Sequence, residues 1–140
     1  MKKYLTVLFV LVSCICVLAS NNSFVDSLKN CSSFSDSGQV KTEGMDVQSK
    51  KQILGWENNK CVYRETLNFA GINTNVICKF TRSQLDEIFS VMKAYDVVSK
   101  YSSENIDTSS SQAVQNNPVV KVWNKYLQDS SVCTLSGLNK

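Results

Sequence analysis

The sequence predicts an α+β fold: a four-stranded, mostly antiparallel β-meander with one amphipathic helix packed on one face, short N- and C-terminal helices and two disulfides. Three observations carry this. Gln52 to Phe80 alternates apolar and polar residues and is broken at Asn58-Asn59 and again before Gly71, the pattern of successive hairpins. From Leu85 onward the apolar period changes to that of a helix. Four cysteines follow an apolar N-terminal run, an even number of the kind found in exported, disulfide-stabilised chains.

The hairpins set a register. With Asn58-Asn59 as a two-residue turn, Glu57 pairs with Lys60, Trp56 with Cys61, Leu54 with Tyr63 and Gln52 with Glu65. Leu54, Trp56, Cys61, Tyr63 and Leu67 then share one face. A four-residue loop over Asn68 to Gly71 brings Leu67 opposite Ile72 and Cys61 opposite Cys78, with Val76 and Phe80 on that same side. Both turns agree on which face is the core.

Residues 1–19, MKKYLTVLFVLVSCICVLA, have a short basic start, an apolar run and a small residue at the end, the layout of a secretory signal peptide cleaved after Ala19. Leu11-Val12-Ser13-Cys14 offers a rival, a lipobox with Cys14 as the lipidated N-terminus. The apolar run continuing through Ala19 favours the soluble product. An uncleaved anchor is disfavoured because Tyr4 to Ala19 falls short of the ~20 residues a membrane-spanning helix needs.

The remaining elements follow in order. Ser23 to Cys31 reads as a short helix, with Ser23 and Asp26 close to a capping box. Ser32 to Gly38 is Ser-rich and turn-like, and Val40 to Val47 reads as a first strand in which Gly44 makes a bulge. Thr81-Arg82-Ser83-Gln84 is a capping box, and Leu85, Ile88, Phe89, Met92 and Tyr95 then recur at helical spacing. That helix is expected to lie across the apolar sheet face. Residues 102–117 are polar and read as a flexible linker between a core domain at 20–101 and a C-terminal helix and tail at 118–140. Asn117-Pro118 opens this last helix as cap and first-turn proline, and Val119, Val122, Trp123, Tyr126 and Leu127 give it an apolar side.

Cys31, Cys61, Cys78 and Cys133 permit three connectivities. The register favours Cys61–Cys78 with Cys31–Cys133. The weakness of that pairing is that opposed cysteines in a hairpin can be strained; if they are, the alternative is Cys31 with Cys61 or Cys78. A redox couple is disfavoured, since the chain beyond the leader has no C-x-x-C spacing.

Composition excludes much chemistry. The chain has no histidine, which removes Ser-His-Asp and Cys-His nucleophilic machinery and the commonest transition-metal ligand. Without Lys2 and Lys3, 13 basic residues stand against 12 acidic ones, and their scatter along the sequence gives no footprint for nucleic acid or anionic membrane. The sequence has no G-x-S-x-G elbow and no Gly-rich phosphate loop, and Asp36, Glu43 and Asp46 lack EF-hand spacing. No cofactor and no metal is expected. Glu65 stands out, because the register puts this carboxylate on the apolar face beside Gln52 and Thr74; it marks a pocket or, more simply, hydrogen-bonds its neighbours. Trp123 and Tyr126 either pack on the domain or dock a partner.

The Lys/Asn/Ser-rich composition and N-terminus resemble those of small exported proteins of AT-rich bacteria, a likeness that implies no activity. Asn21-Asn22-Ser23 and Asn30-Cys31-Ser32 match the glycosylation triplet. The functional expectation is a non-enzymatic binding or structural module of the envelope or extracellular space, secreted or periplasmic, whose partner is a protein or envelope component. Membrane contact is expected only through the leader or a lipid at Cys14. The alternative is a carrier or sensor holding a small apolar ligand between sheet and helix near Trp56 and Tyr63. A thiol-disulfide protein is the third reading.

Overall fold

Asn58 and Asn59 reverse the chain with φ of 50° and 62°, a left-handed pair that Asn tolerates and that matches the twist of the strands it joins. In the computed structural model, which describes residues 22–42, 44–102 and 115–137, this is one of three turns in an antiparallel meander. Its strands are β1 (Phe34–Thr42), β2 (Met45–Glu57), β3 (Lys60–Phe69) and β4 (Ile72–Phe80). A fifth strand, β5 (Cys133–Ser136), returns antiparallel to β4, so the order is β1-β2-β3-β4-β5. The helices among the described residues are α1 (Asn22–Asn30), α2 (Arg82–Ser102) and α3 (Pro118–Leu127). The class is α+β as expected, with five strands where four were read. The leader over 1–19, Cys14 and most of the polar stretch 102–117 lie outside the described residues. No helix among the described residues is long and apolar enough to cross a membrane.

Three local readings need correction. Val40–Val47 is not one strand with a bulge: Thr42 pairs with Met45, and Gly44 at φ 77° sits in the reversal between them. The Ser-rich stretch is strand from Phe34 onward. As an edge strand β1 is held by its backbone bonds to β2 while most of its side chains stay in water, so little apolar periodicity marks it.

The second correction is a bulge. Pairing of β2 with β3 begins as expected at Glu57–Lys60 and Trp56–Cys61, and then Gly55 pairs with Val62 but Ile53 with Tyr63. Leu54 is the extra residue, and Gly55 absorbs it at φ 103°, a conformation that side chains disfavour. Everything before the bulge therefore swaps faces. Ile53 turns inward and is buried, whereas Leu54 is 47% exposed.

The third concerns β3 and β4. Ala70 and Gly71, at φ 49° and 75°, make a two-residue turn in place of the four-residue loop. Phe69 pairs with Ile72, Cys61 with Phe80 and Tyr63 with Cys78. The register moves by two residues, so faces are preserved and only neighbours change. Cys61 and Cys78 are consequently not opposed, and the disulfides are Cys31–Cys61 and Cys78–Cys133 rather than the favoured pairing. β5 sets Cys133 directly across from Cys78. Cys31 is aimed by the end of α1, where it takes φ 50° while Cys31 N–H donates to Leu28 O and Ser32 N–H to Ser27 O, the paired bonds of a Schellman cap.

The core lies on one face of the sheet, and the two short helices supply its aromatic cover. Trp123 of α3 packs edge-on against Tyr63 at 5.3 Å and tilted against Phe80 at 5.8 Å. Phe24 of α1 meets Tyr63 at 6.1 Å and Phe34 at 5.6 Å. Neither helix is peripheral. α2 buries Leu85, Ile88 and Met92 and leans on α1, α3 and β4, sharing the cover of the sheet face with the two short helices. Its capping box forms as read: Gln84 N–H donates to Thr81 Oγ1 (3.3 Å) and Thr81 N–H to Gln84 Oε1 (2.9 Å). Asn117 Oδ1 likewise accepts from Val119 N–H (2.9 Å) with Pro118 in the first turn of α3.

Candidate contact surface at the bulged hairpin

Glu65 is fully buried on the inner face, but against different neighbours from those expected. The bulge turns Gln52 away and puts Lys51 opposite Glu65, and the β4 register places Val76 on its other side while Thr74 moves across from Leu67. Tyr63 Oη donates to Glu65 Oε2 at 3.1 Å. Lys51 is 7% exposed, with Nζ 4.7 Å from the centroid of the Phe24 ring. A carboxylate, a phenol and an ammonium thus meet in a dry interior, where each is costly alone and favourable together. All three are shielded from water.

Trp123 and Tyr126 are also spent inside. Trp123 is 1% exposed, so the surface a partner meets does not include it. Tyr126 Oη donates to Glu87 Oε2, and Lys125 Nζ lies 2.9 Å from Glu87 Oε1, a clamp joining α3 to α2. The Tyr126 hydroxyl, then Lys125, hold the Glu87 carboxyl below its ordinary range, while burial and then Glu87 push the Tyr126 phenol up.

Trp56 has the opposite fate. It and Leu54 are the large apolar side chains left exposed among the described residues, at 42% and 47%. The Arg82 guanidinium lies 4.5 Å over the Trp56 ring, and Arg82 Nη1 donates to Lys29 O at the end of α1 (2.8 Å). Lys29 Nζ in turn sits 4.6 Å from the Phe89 centroid, and Lys93 Nζ 5.8 Å from it. Trp56, Arg82, Lys29, Phe89 and Lys93 therefore form one continuous row across the hairpin, α1 and α2. Lys60 lies in the first pair of the hairpin, opposite Glu57, whose carboxylate is 3.4 Å from Lys79 Nζ.

Sequence reasoning singled out Trp56 and missed the rest of this row. Its members come from three elements, and the contact of Arg82 with Lys29 spans 53 residues. The legible part was the spacing of Arg82, Phe89 and Lys93, which places them along one side of a helix.

A second surface feature is a wide, open concavity of about 400 Å³ whose lining includes Ser37, Gln39, Gln48, Lys50, Thr66 and Asn68. These alternate positions share the sheet face opposite the core. Their amides and hydroxyls can hydrogen-bond a ligand, but no aromatic or aliphatic side chain lines the depression. Among the described residues no group of three or more Cys, Asp or Glu is placed to hold a metal ion. No protein-family model, curated protein or solved structure matches the chain.

Proposed function

We propose that this chain is an exported, non-enzymatic binding module of the cell envelope or extracellular space, and that it meets its counterpart through the Trp56 surface. The observation that carries the reading is that Trp56 stays exposed at the edge of a buried core, with Arg82 stacked on the indole. A rigid aromatic backed by an arginine needs little ordering on contact, which is why Trp and Arg dominate binding hot spots. The two disulfides fit an oxidising compartment.

The apolar-carrier reading has less support. The layer beside Tyr63 is filled by Trp123, Phe24 and the neighbouring aromatics. The thiol-disulfide reading is also weakened, because all four cysteines beyond the leader are paired in the structural bridges.

The test is site-specific photocrosslinking in the producing cells, with the reactive group placed at Trp56 and, in a control, at Gln48 on the opposite sheet face. A discrete adduct at Trp56 and none at Gln48 is expected. Adducts from neither position, or equally from both, would overturn the assignment.

A further inference from the structure

Beyond the Trp56 surface, we infer that the sheet face opposite the core binds an acidic polysaccharide, a sugar chain carrying carboxylates. The described helices all contribute to the core cluster on the other face, so this one is left to solvent. Alternation along the strands decides which side chains stand on it. Gln39 and Ser37 of β1 lie across from Gln48 and Lys50 of β2, and these from Asn68 and Thr66 of β3. Asn73 and Asn75 of β4 continue the two rows, and Thr66 Oγ1 donates to Asn75 Oδ1 at 2.9 Å. Each row crosses four strands in steps of ~4.8 Å, and the concavity of about 400 Å³ lies over their β1 to β3 part. An amide or a serine or threonine hydroxyl both donates and accepts, as the hydroxyls of a sugar do. A chain of sugars laid along a row therefore finds a hydrogen-bonding partner at each step.

The charges on this face are one-sided. It carries Lys41, Lys50, Lys60, Arg64 and Lys79 against Asp46 and Glu57. Five minus two is +3, whereas residues 20–140 as a whole carry +1, which leaves −2 for the rest of them. Both acids are taken, Asp46 by Lys41 at 3.7 Å and Glu57 by Lys79 at 3.4 Å. Lys50 and Arg64 remain, diagonal neighbours on β2 and β3 with Cα atoms about 7 Å apart. The acids beside them on their own or the adjoining strand, Glu65 and Asp36, occupy the alternate positions and so belong to the other face. The residues that pair with Lys50 and Arg64 are neutral: Ser37, Thr66, Gln52 and Ile77. A merely solvated face intersperses both signs; this one holds two uncompensated cations among amides and hydroxyls. The Arg64 guanidinium suits a carboxylate through two parallel N–H donors, and Lys50 supplies a point charge for the next. No aromatic ring stands on this face, which disfavours single-stranded nucleic acid, whose bases need stacking platforms.

The experiment is calorimetric titration of the full chain with three oligomers of matched length. They are oligogalacturonate, oligoacrylate, which has the charge without the hydroxyls, and maltooligosaccharide, which has the hydroxyls without the charge. Binding of oligogalacturonate alone is expected. Lys50→Gln should weaken it about fivefold and Arg64→Gln about tenfold, both losses shrinking as salt rises. Gln48→Ala with Asn68→Ala should weaken it about tenfold at every salt concentration. These four side chains are exposed or half-buried, so the variants should keep the parent's tryptophan emission. Arg82→Gln, at the Trp56 surface, should bind as the parent does.

No heat with oligogalacturonate, equal binding of oligoacrylate, or binding unchanged by Lys50→Gln with Arg64→Gln would each overturn the inference. Binding lost in Arg82→Gln would overturn it too, by moving the site to the other face. The Trp56 assignment is tested separately, since a polydisperse sugar chain gives no discrete adduct at Gln48.

Discussion

Trp123 and Trp56 are the same residue type in one small molecule and do opposite things. Trp123 is wedged between Tyr63 and Phe80, and its burial holds α3 on the sheet. Trp56 stands outside that layer, fixed from one side by Arg82. Each region has its own staple: Cys78–Cys133 anchors the return after α3, and Cys31–Cys61 ties the end of α1, which supplies the carbonyl for Arg82, to β3 beside Trp56. Burial, not residue identity, decides whether an aromatic is a stability element or a contact.

That comparison predicts unequal effects. Trp123→Ala should cost about 3 to 5 kcal/mol in denaturant unfolding, the usual loss for a large aromatic removed from a core. Trp123→Phe should recover most of it, because the Trp123 Nε1 proton has no hydrogen-bond partner among the described residues and its loss leaves nothing unpaired. An alanine cost below about 1 kcal/mol would mean that α3 is not part of the core.

Removing Cys78–Cys133 by double Ala substitution should cost about 4 kcal/mol, and removing Cys31–Cys61 a few tenths less, since the loops closed span 55 and 30 residues. The sharper difference is spectroscopic. Loss of Cys31–Cys61 should alter Trp56 emission before unfolding, and loss of Cys78–Cys133 should not. Glu65→Gln leaves the Lys51 ammonium buried opposite a neutral group, with an expected cost of about 3 kcal/mol. If that variant unfolds like the parent, the buried cluster does not stabilise the sheet.

Trp56→Ala belongs at the other end of the scale. Its ring is exposed and stacked on one guanidinium, so the loss should stay under about 1 kcal/mol.

The smallest effect is a pH dependence. The folded Glu87 carboxyl sits below its ordinary value near 4.5, so the folded state holds fewer protons there than the unfolded state. Its contribution is complete above that value and is lost as pH falls through the lowered one. Glu87→Gln should flatten the acid limb of stability without changing the Trp56 contact.

The legible parts of this fold were those fixed by neighbours in sequence. Asn58-Asn59, the Thr81–Gln84 box and Asn117-Pro118 each carry their instructions within four residues, and each forms as read. The inward faces of β3 and β4 were legible because the period-two pattern survives a two-residue slip. What escaped was decided at a distance. A bulge at Leu54 leaves no mark in alternation, yet it exchanges Leu54 for Ile53 and Gln52 for Lys51 on the inner face. The disulfide pairing depended on β5, whose four residues are too few to show a period. The candidate surface was legible in Trp56 alone, since Arg82 and Lys29 reach it through the packing of α1 on α2.

The division of labour between the two tryptophans is tested most directly by acrylamide quenching of the parent and of Trp56→Phe. The parent should show one accessible and one protected emitter, and Trp56→Phe should retain only the protected, blue-shifted one. Quenching of Trp123 in that variant to the extent seen for Trp56 in the parent would contradict the account, because the core would then be open where it is described as closed.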